Sequence, residues 1–151
     1  MRIALYQPDI PQNTGNIFRL GACLGISVDI IEPTGFIFDD KKFKRSAMDY
    51  LDHIDYKRHI DWQHFYDWKK ENNFRLILMT TKSQESLYNF KFNHSDILLF
   101  GRESAGVPKS LHKTIKNKLK IPINKKTRSL NVAMTVAIVA AEALRQNDLL
   151  K

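Results

Sequence analysis

Apolar residues along the chain fall into two kinds of run. Residues 1–6 and 28–31 read as strands, and continuous apolar runs occupy 74–81 (F-R-L-I-L-M-T-T) and 97–101 (I-L-L-F-G). Such runs suit parallel strands buried on both faces. A further short strand is expected over 56–60 and another β-type run over 119–123. Between them lie stretches with helix punctuation. Residues 7–13 form a loop stiffened by Pro8 and Pro11, because proline fixes its own φ and removes a donor. A helix follows, with Asn13 or Thr14 as N-cap and Gly25 just past its end. Its apolar side is Ile17, Leu20, Ala22, Cys23 and Leu24. Asp39 and Asp40 can cap a basic helix reaching about Tyr50. Asp61 can cap an aromatic one carrying Trp62, Phe65, Tyr66 and Trp68, and 108–115 reads as a short helix.

The densest pattern comes last. A polar, basic loop (124–129) follows the 119–123 run, and a helix apolar on every side extends over 132–141. An all-round apolar helix belongs in an interior or between subunits. This one is shorter than the roughly 20 residues that a bilayer demands. Ala133, Ala137 and Ala141 recur every four residues, so one face lets another backbone approach closely. Strands alternating with helices predict an α/β fold with a mostly parallel sheet flanked by helices. There is no repeat, low-complexity tract or linker, and 1–151 reads as a single domain.

Composition and termini add three points. No basic–apolar–small leader opens the chain, which sets the expected compartment as cytoplasmic. The single cysteine, Cys23, cannot form an internal disulfide and is expected as a buried thiol. The net charge of +8 is unevenly spread. No Asp or Glu lies between Glu103 and Glu142, while that gap holds Lys109, Lys113, Lys116, Lys118, Lys120, Lys125, Lys126 and Arg128. Lys41, Lys42, Lys44 and Arg45 form a second cluster. Two readings compete: a solvated lysine-rich face, or a surface for a polyanion such as RNA or DNA.

Several chemistries lack their residues. There is no G-x-x-x-x-G-K-[ST] and no G-x-G-x-x-G after a strand. Ser104 sits in G-R-E-S-A-G, with Arg102 where a nucleophile elbow needs glycine. His53, His59, His64, His94 and His112 pair with no cysteine at zinc spacing, so no metal is expected. Three loops remain, each after a buried run: P-Q-N-T-G-N-I-F-R, L-L-F-G-R-E-S-A-G-V-P and I-P-I-N-K-K-T-R-S-L-N. Singly, Asn13, Thr14, Ser129 and Asn131 read as caps, and Gly15, Gly101 and Gly106 as turn residues. Together they can converge on one cleft, since ligands of parallel sheets lie outside the carboxyl ends of strands.

In this order and spacing the three loops resemble the three motifs of the SPOUT superfamily of RNA methyltransferases. The likeness runs through nearly the whole chain, including I-I-E-P-T-G-F and L-M-T-T-K between the motifs. It is closest to the small TrmL-type (YibK-type) enzymes that methylate the ribose 2′-oxygen of the tRNA wobble nucleotide, a cytidine or modified uridine at position 34. The likeness departs at Ala133, Met134 and Ala141, where relatives carry Ser, Asn and Tyr.

The resemblance implies a C-terminal trefoil knot, a homodimer, S-adenosylmethionine as methyl donor and tRNA as substrate. It implies cofactor contacts from the backbone around Met79, Gly101, Ile121, Ser129 and Leu130. Asn13, Arg19, Glu103 and Asn131 would line the reacting end. The RNA would meet Lys125, Lys126, Arg128, Lys44 and Arg45, because larger relatives carry an added RNA-binding domain before the first strand and this chain starts at the strand. The rival readings are a SPOUT enzyme acting on another RNA position or on a base, and a basic RNA-binding protein without catalysis.

Overall fold

The computed structural model describes residues 1–38 and 53–147. The basic helix expected after Asp39, with Lys41, Lys42, Lys44 and Arg45, lies outside them. Six strands form one sheet in the order β3-β2-β1-β5-β4-β6, and every neighbouring pair is parallel. They are β1 (Arg2–Tyr6), β2 (Ser27–Ile31), β3 (Tyr56–His59), β4 (Arg75–Met79), β5 (Asp96–Phe100) and β6 (Asn117–Leu119). The segments expected as strands over 1–6, 28–31, 74–81 and 97–101 became β1, β2, β4 and β5, whose side chains meet helices or loops on both faces. One core layer joins Ile3, Leu5, Phe18, Ile30, Ile77, Leu98 and Val139, and the other joins Ala4, Ile31, Phe65, Leu78 and Leu99.

The α-helices among the described residues are α1 (Pro11–Leu24), α2 (Trp62–Glu71), α3 (Lys109–Thr114) and α4 (Val132–Gln146). α2 starts where its cap predicts, the Asp61 carboxylate accepting from the His64 N–H at 2.7 Å. Gly25 ends α1 with φ 64°, as expected. The start of α1 differs from the sequence reading. Pro11 occupies the first turn and Ile10 is the N-cap, so Asn13 and Thr14 lie inside the helix and are buried. Proline suits a first turn, where its missing N–H has no intrahelical partner anyway. The last strand also differs: β6 ends at Leu119, and residues 121–131 run without regular structure. Cys23 is exposed, because Gln12, Asn16, Arg19 and Cys23 share the outward stripe of α1. α4 buries one side only, through Val136, Val139, Ala140, Ala143 and Leu144, while Met134 and Ala141 face outward.

One polar cluster braces the strands away from the cleft. Asp29 and His59 are fully buried, and Asp29 accepts from Arg2 Nε at 2.6 Å and from His59 Nε2 at 2.8 Å. Trp68 covers it, with the Arg2 guanidinium 5.2 Å from its ring centre. A buried carboxylate is tolerated only when its oxygens are matched by charge and hydrogen bonds.

Candidate active site

Chain order sets where a cleft can form. From β1 the chain steps outward to β2 and β3, then crosses to the opposite side for β4, with β5 filling the gap beside β1. The loops after β1 and β5 therefore part in opposite directions, and such switch points open crevices at the carboxyl ends of strands. A cleft of about 560 Å³ lies there. Its walls come from the end of β4 (Leu78, Met79, Thr80), the loop after β5 (Gly101 to Val107), residues 120–123 and residues 129–135, with Ile10 and Asn13 from α1.

The loop after β5 is a tight hairpin. Arg102 and Gly106 exchange backbone hydrogen bonds at 3.1 and 2.8 Å, and Gly106 holds φ 68°, which glycine adopts without steric cost. A Cβ on Gly101 would lie 2.6 Å from the Gly106 carbonyl carbon, so only glycine lets the hairpin close over the strand end.

A directed chain of hydrogen bonds links all three motif loops. Asn131 caps α4, its Oδ1 accepting from the N–H of Ala133 at 2.8 Å and of Met134 at 3.3 Å. The cap commits that oxygen, which leaves the Asn131 amide nitrogen to donate to Asn13 Oδ1 at 3.0 Å. Asn13 in turn donates through Nδ2 to Glu103 Oε1 at 3.1 Å. The other Glu103 oxygen accepts from the Asp9 N–H at 2.8 Å. An asparagine side chain has one acceptor and one donor end, so the helix cap fixes the amide orientation of the whole chain.

Asp9, Arg102 and Ser104 are the residues that the sequence reading missed. Asp9 Oδ1 accepts from Arg102 Nη2 at 2.7 Å, and Oδ2 accepts from the Ser104 hydroxyl and N–H. Opposite charges in two loops that both follow strands were the available signal. The Arg102 guanidinium and the Ser104 hydroxyl hold the Asp9 carboxyl down from an ordinary 3.8 to about 2. A lowered carboxyl pKa contributes stability that is complete above the unfolded value and is lost as pH falls through the folded one. Asp9→Asn should therefore be less stable than the parent above about pH 4, and the difference should shrink steadily as pH falls from there through about 2. Urea unfolding at stepped pH checks this, and a gap that is as wide at pH 2 as at pH 6 contradicts it.

The structure gathers Asn13, Glu103, Asn131, Met79, Gly101, Ile121, Ser129 and Leu130 around the one cleft. Arg19 does not line it in this chain and stands exposed on α1, and Lys125, Lys126 and Arg128 lie exposed on the third loop beside it. Lys44 and Arg45 fall outside the described residues. Among the described residues there is no group of three His, Cys, Asp or Glu side chains that could hold a metal, and no helix long and apolar enough to cross a membrane.

This fold, with its cleft at the switch point, is the parallel α/β architecture of SPOUT methyltransferases. The chain matches the SpoU rRNA Methylase family over residues 1–141 and belongs to it. A relative from Beijerinckia indica, a tRNA (cytidine(34)-2′-O)-methyltransferase, is 49% identical over 95% of this chain and 90% of its own. A solved structure concerned with 2′-OH methylation of C/U34 on tRNA superposes with a TM-score of 0.90 at 39% identity, covering 96% of this chain and 94% of that one. The SpoU methyltransferase AviRb from Streptomyces viridochromogenes, solved with AdoMet, shares the fold at 23% identity and a TM-score of 0.86, over 97% of this chain and 57% of its own.

The residues fit a nucleoside-type donor. The volume lies within the range of about 300–1,000 Å³ common for small-molecule sites. Leu78, Met79, Ile121, Ile123 and Val132 offer apolar walls, and the backbone around Met79, Gly101, Ile121, Ser129 and Leu130 offers hydrogen-bonding groups.

Proposed function

We propose that the protein transfers a methyl group from S-adenosylmethionine to the ribose 2′-oxygen of the wobble nucleotide of tRNA, acting in the cytoplasm as a homodimer. The observation that carries this reading is the Asn131–Asn13–Glu103 chain, which ties three loops from distant parts of the sequence into one wall of a donor-sized cleft. The 49% identity to the Beijerinckia indica enzyme supports the nucleotide position.

S-adenosylmethionine supplies a methyl group already activated on a sulfonium. The chain's own task is to align an oxygen nucleophile in line and exclude water. The backbone around Met79, Gly101, Ile121, Ser129 and Leu130 holds the donor, while Asn13, Glu103 and Asn131 shape the reacting end. Arg19 acts as a fork on the nucleotide phosphate and stabilises the oxyanion as the 2′-hydroxyl proton leaves to phosphate or solvent. A guanidinium offers five N–H donors and no acceptor, so it is no free base.

A second subunit accounts for the exposed apolar rim. Ile10, Leu130 and Met134 are 41, 42 and 61% exposed around the cleft mouth and the start of α4, and they fit a surface that another copy covers. The outward stripe of α1 with Arg19 then faces the assembled site. The trefoil knot implied by the resemblance belongs to the same reading.

Incubation with labelled S-adenosylmethionine and total tRNA, followed by mapping, tests the function. Label at the 2′-oxygen of nucleotide 34 is expected. Label elsewhere favours another RNA target, and no label with retained tRNA binding favours a binding protein. The RNA grip should be electrostatic. If about five phosphates are met, the log–log salt slope is roughly −3.5 to −4.5. Lys125→Ala with Lys126→Ala should flatten that slope while donor binding persists, and an unchanged slope removes the third loop from the RNA surface.

A further inference from the structure

The cleft carries its charges at opposite ends. At the β1–β5 end stands the Glu103 carboxylate, and Arg102 there is neutralised by Asp9. At the β4–β6 end stand Lys82 and Lys120, and both line the cleft. Neither ammonium has an ion-pair or hydrogen-bond partner among the described residues.

The backbone beneath the two lysines is firmly placed. Thr80 N–H donates to the Leu119 carbonyl at 2.8 Å, Lys120 N–H donates to the Glu85 carbonyl at 2.9 Å, and Leu87 N–H donates to the Lys120 carbonyl at 2.9 Å. The buried Ser83 hydroxyl donates to the Lys118 carbonyl at 2.6 Å. Lys82 begins the same turn, its N–H donating to Thr80 Oγ1 at 3.2 Å. The turn after β4 is thus stitched to the extension of β6, and the lysines are brought to one rim. Lys120 is half-buried on the inner wall and Lys82 is exposed above it. The nearby Glu85 carboxylate forms no ion pair with either.

Two unpaired cations on a rigid wall, facing a carboxylate across two strand spacings of roughly 10 Å in all, fit a ligand with its own charges in the opposite order. The donor of the proposed reaction has that pattern. Its sulfonium is positive, and a carboxylate ends the short alkyl chain beyond the sulfur. We infer that Lys82 and Lys120 bind the carboxylate of the donor's amino-acid tail, with Glu103 on the sulfonium side of the cleft. The hydroxyls of Thr80 and Thr81 on the same wall accept from the tail's ammonium. This assignment rests on the donor reading above and extends it to residues outside the three motif loops.

Calorimetry with S-adenosylhomocysteine and with 5′-methylthioadenosine, which keeps the nucleoside and sulfur but lacks the tail, provides the test. Lys120→Ala should weaken S-adenosylhomocysteine about tenfold, the usual scale for one hydrogen bond to a charged group. Lys82→Ala with Lys120→Ala should weaken it further, and both variants should bind 5′-methylthioadenosine as the parent does. Lys120→Arg should recover most of the lost affinity. An unchanged preference for the tailed ligand overturns the assignment, as does equal weakening of both ligands. Loss of tRNA affinity with unaltered S-adenosylhomocysteine binding also overturns it and moves the lysines to the RNA surface. Failure of the parent protein to bind either compound overturns the donor reading itself, a different result from any of these.

Discussion

Replacing Arg19 with alanine should lower methyl transfer to tRNA by at least about 100-fold, the scale for removing one donor to a developing oxyanion. S-adenosylhomocysteine affinity should stay within about twofold, because Arg19 does not line the cleft of its own chain. Single-turnover transfer and calorimetry on the same preparation separate the two effects. Arg19→Lys should recover little, since an ammonium is a point charge and lacks the planar fork that grips two phosphate oxygens. Parallel loss of transfer and donor binding would make the role structural. Light scattering on the variant serves as the control for assembly.

The second large effect concerns stability. Asp29→Ala leaves the Arg2 guanidinium and the His59 ring without their shared carboxylate, with Asp55 as the only other carboxylate bonded to Arg2 among the described residues. Breaking a buried pair by removing one partner costs about 3–5 kcal/mol. Against a typical total of about 5–15 kcal/mol this is a large share. For a domain of this size it corresponds to a fall in Tm of roughly 6–20 °C. Thermal unfolding followed by circular dichroism checks it. The cluster lies along β1, β2 and β3, apart from the cleft walls, so the variant that remains folded should bind S-adenosylhomocysteine normally. A Tm within about 2 °C of the parent would show that the arginine and histidine find other partners.

Local pattern alone placed most of the sheet. The runs that became β1, β4 and β5 are apolar at successive positions because both faces are covered, while β2 is apolar around the buried Asp29. The ends of the helices were less legible. Asn13 has a capping side chain, yet it sits within α1, where its two amide ends join Asn131 and Glu103. The same residue type serves a cap and a tertiary relay equally well, and sequence spacing does not distinguish them. Residues 119–123 are apolar enough for a strand, but pairing with β4 stops at Leu119, and the chain beyond it becomes cleft wall.

The candidate site was legible as three motifs, because glycines for close approach and amides for hydrogen bonding must stand at set offsets from strand ends. Its inner connections were not. Asp9 and Arg102 are 93 positions apart, and Asn13 and Asn131 are 118 apart. The order of strands β1 and β5 in the sheet brings the first pair together, and the return of α4 against α1 brings the second. Sequence by itself determined most of the strands, the three loops that line the cleft and where positive charge gathers along the chain. Tertiary structure alone decided that Arg19 does not line its own cleft, that α4 leaves an apolar face open, and that Lys82 and Lys120 share a rim. Those outcomes depend on which strands become neighbours, a choice made by the burial of the whole sheet rather than by any one stretch of chain.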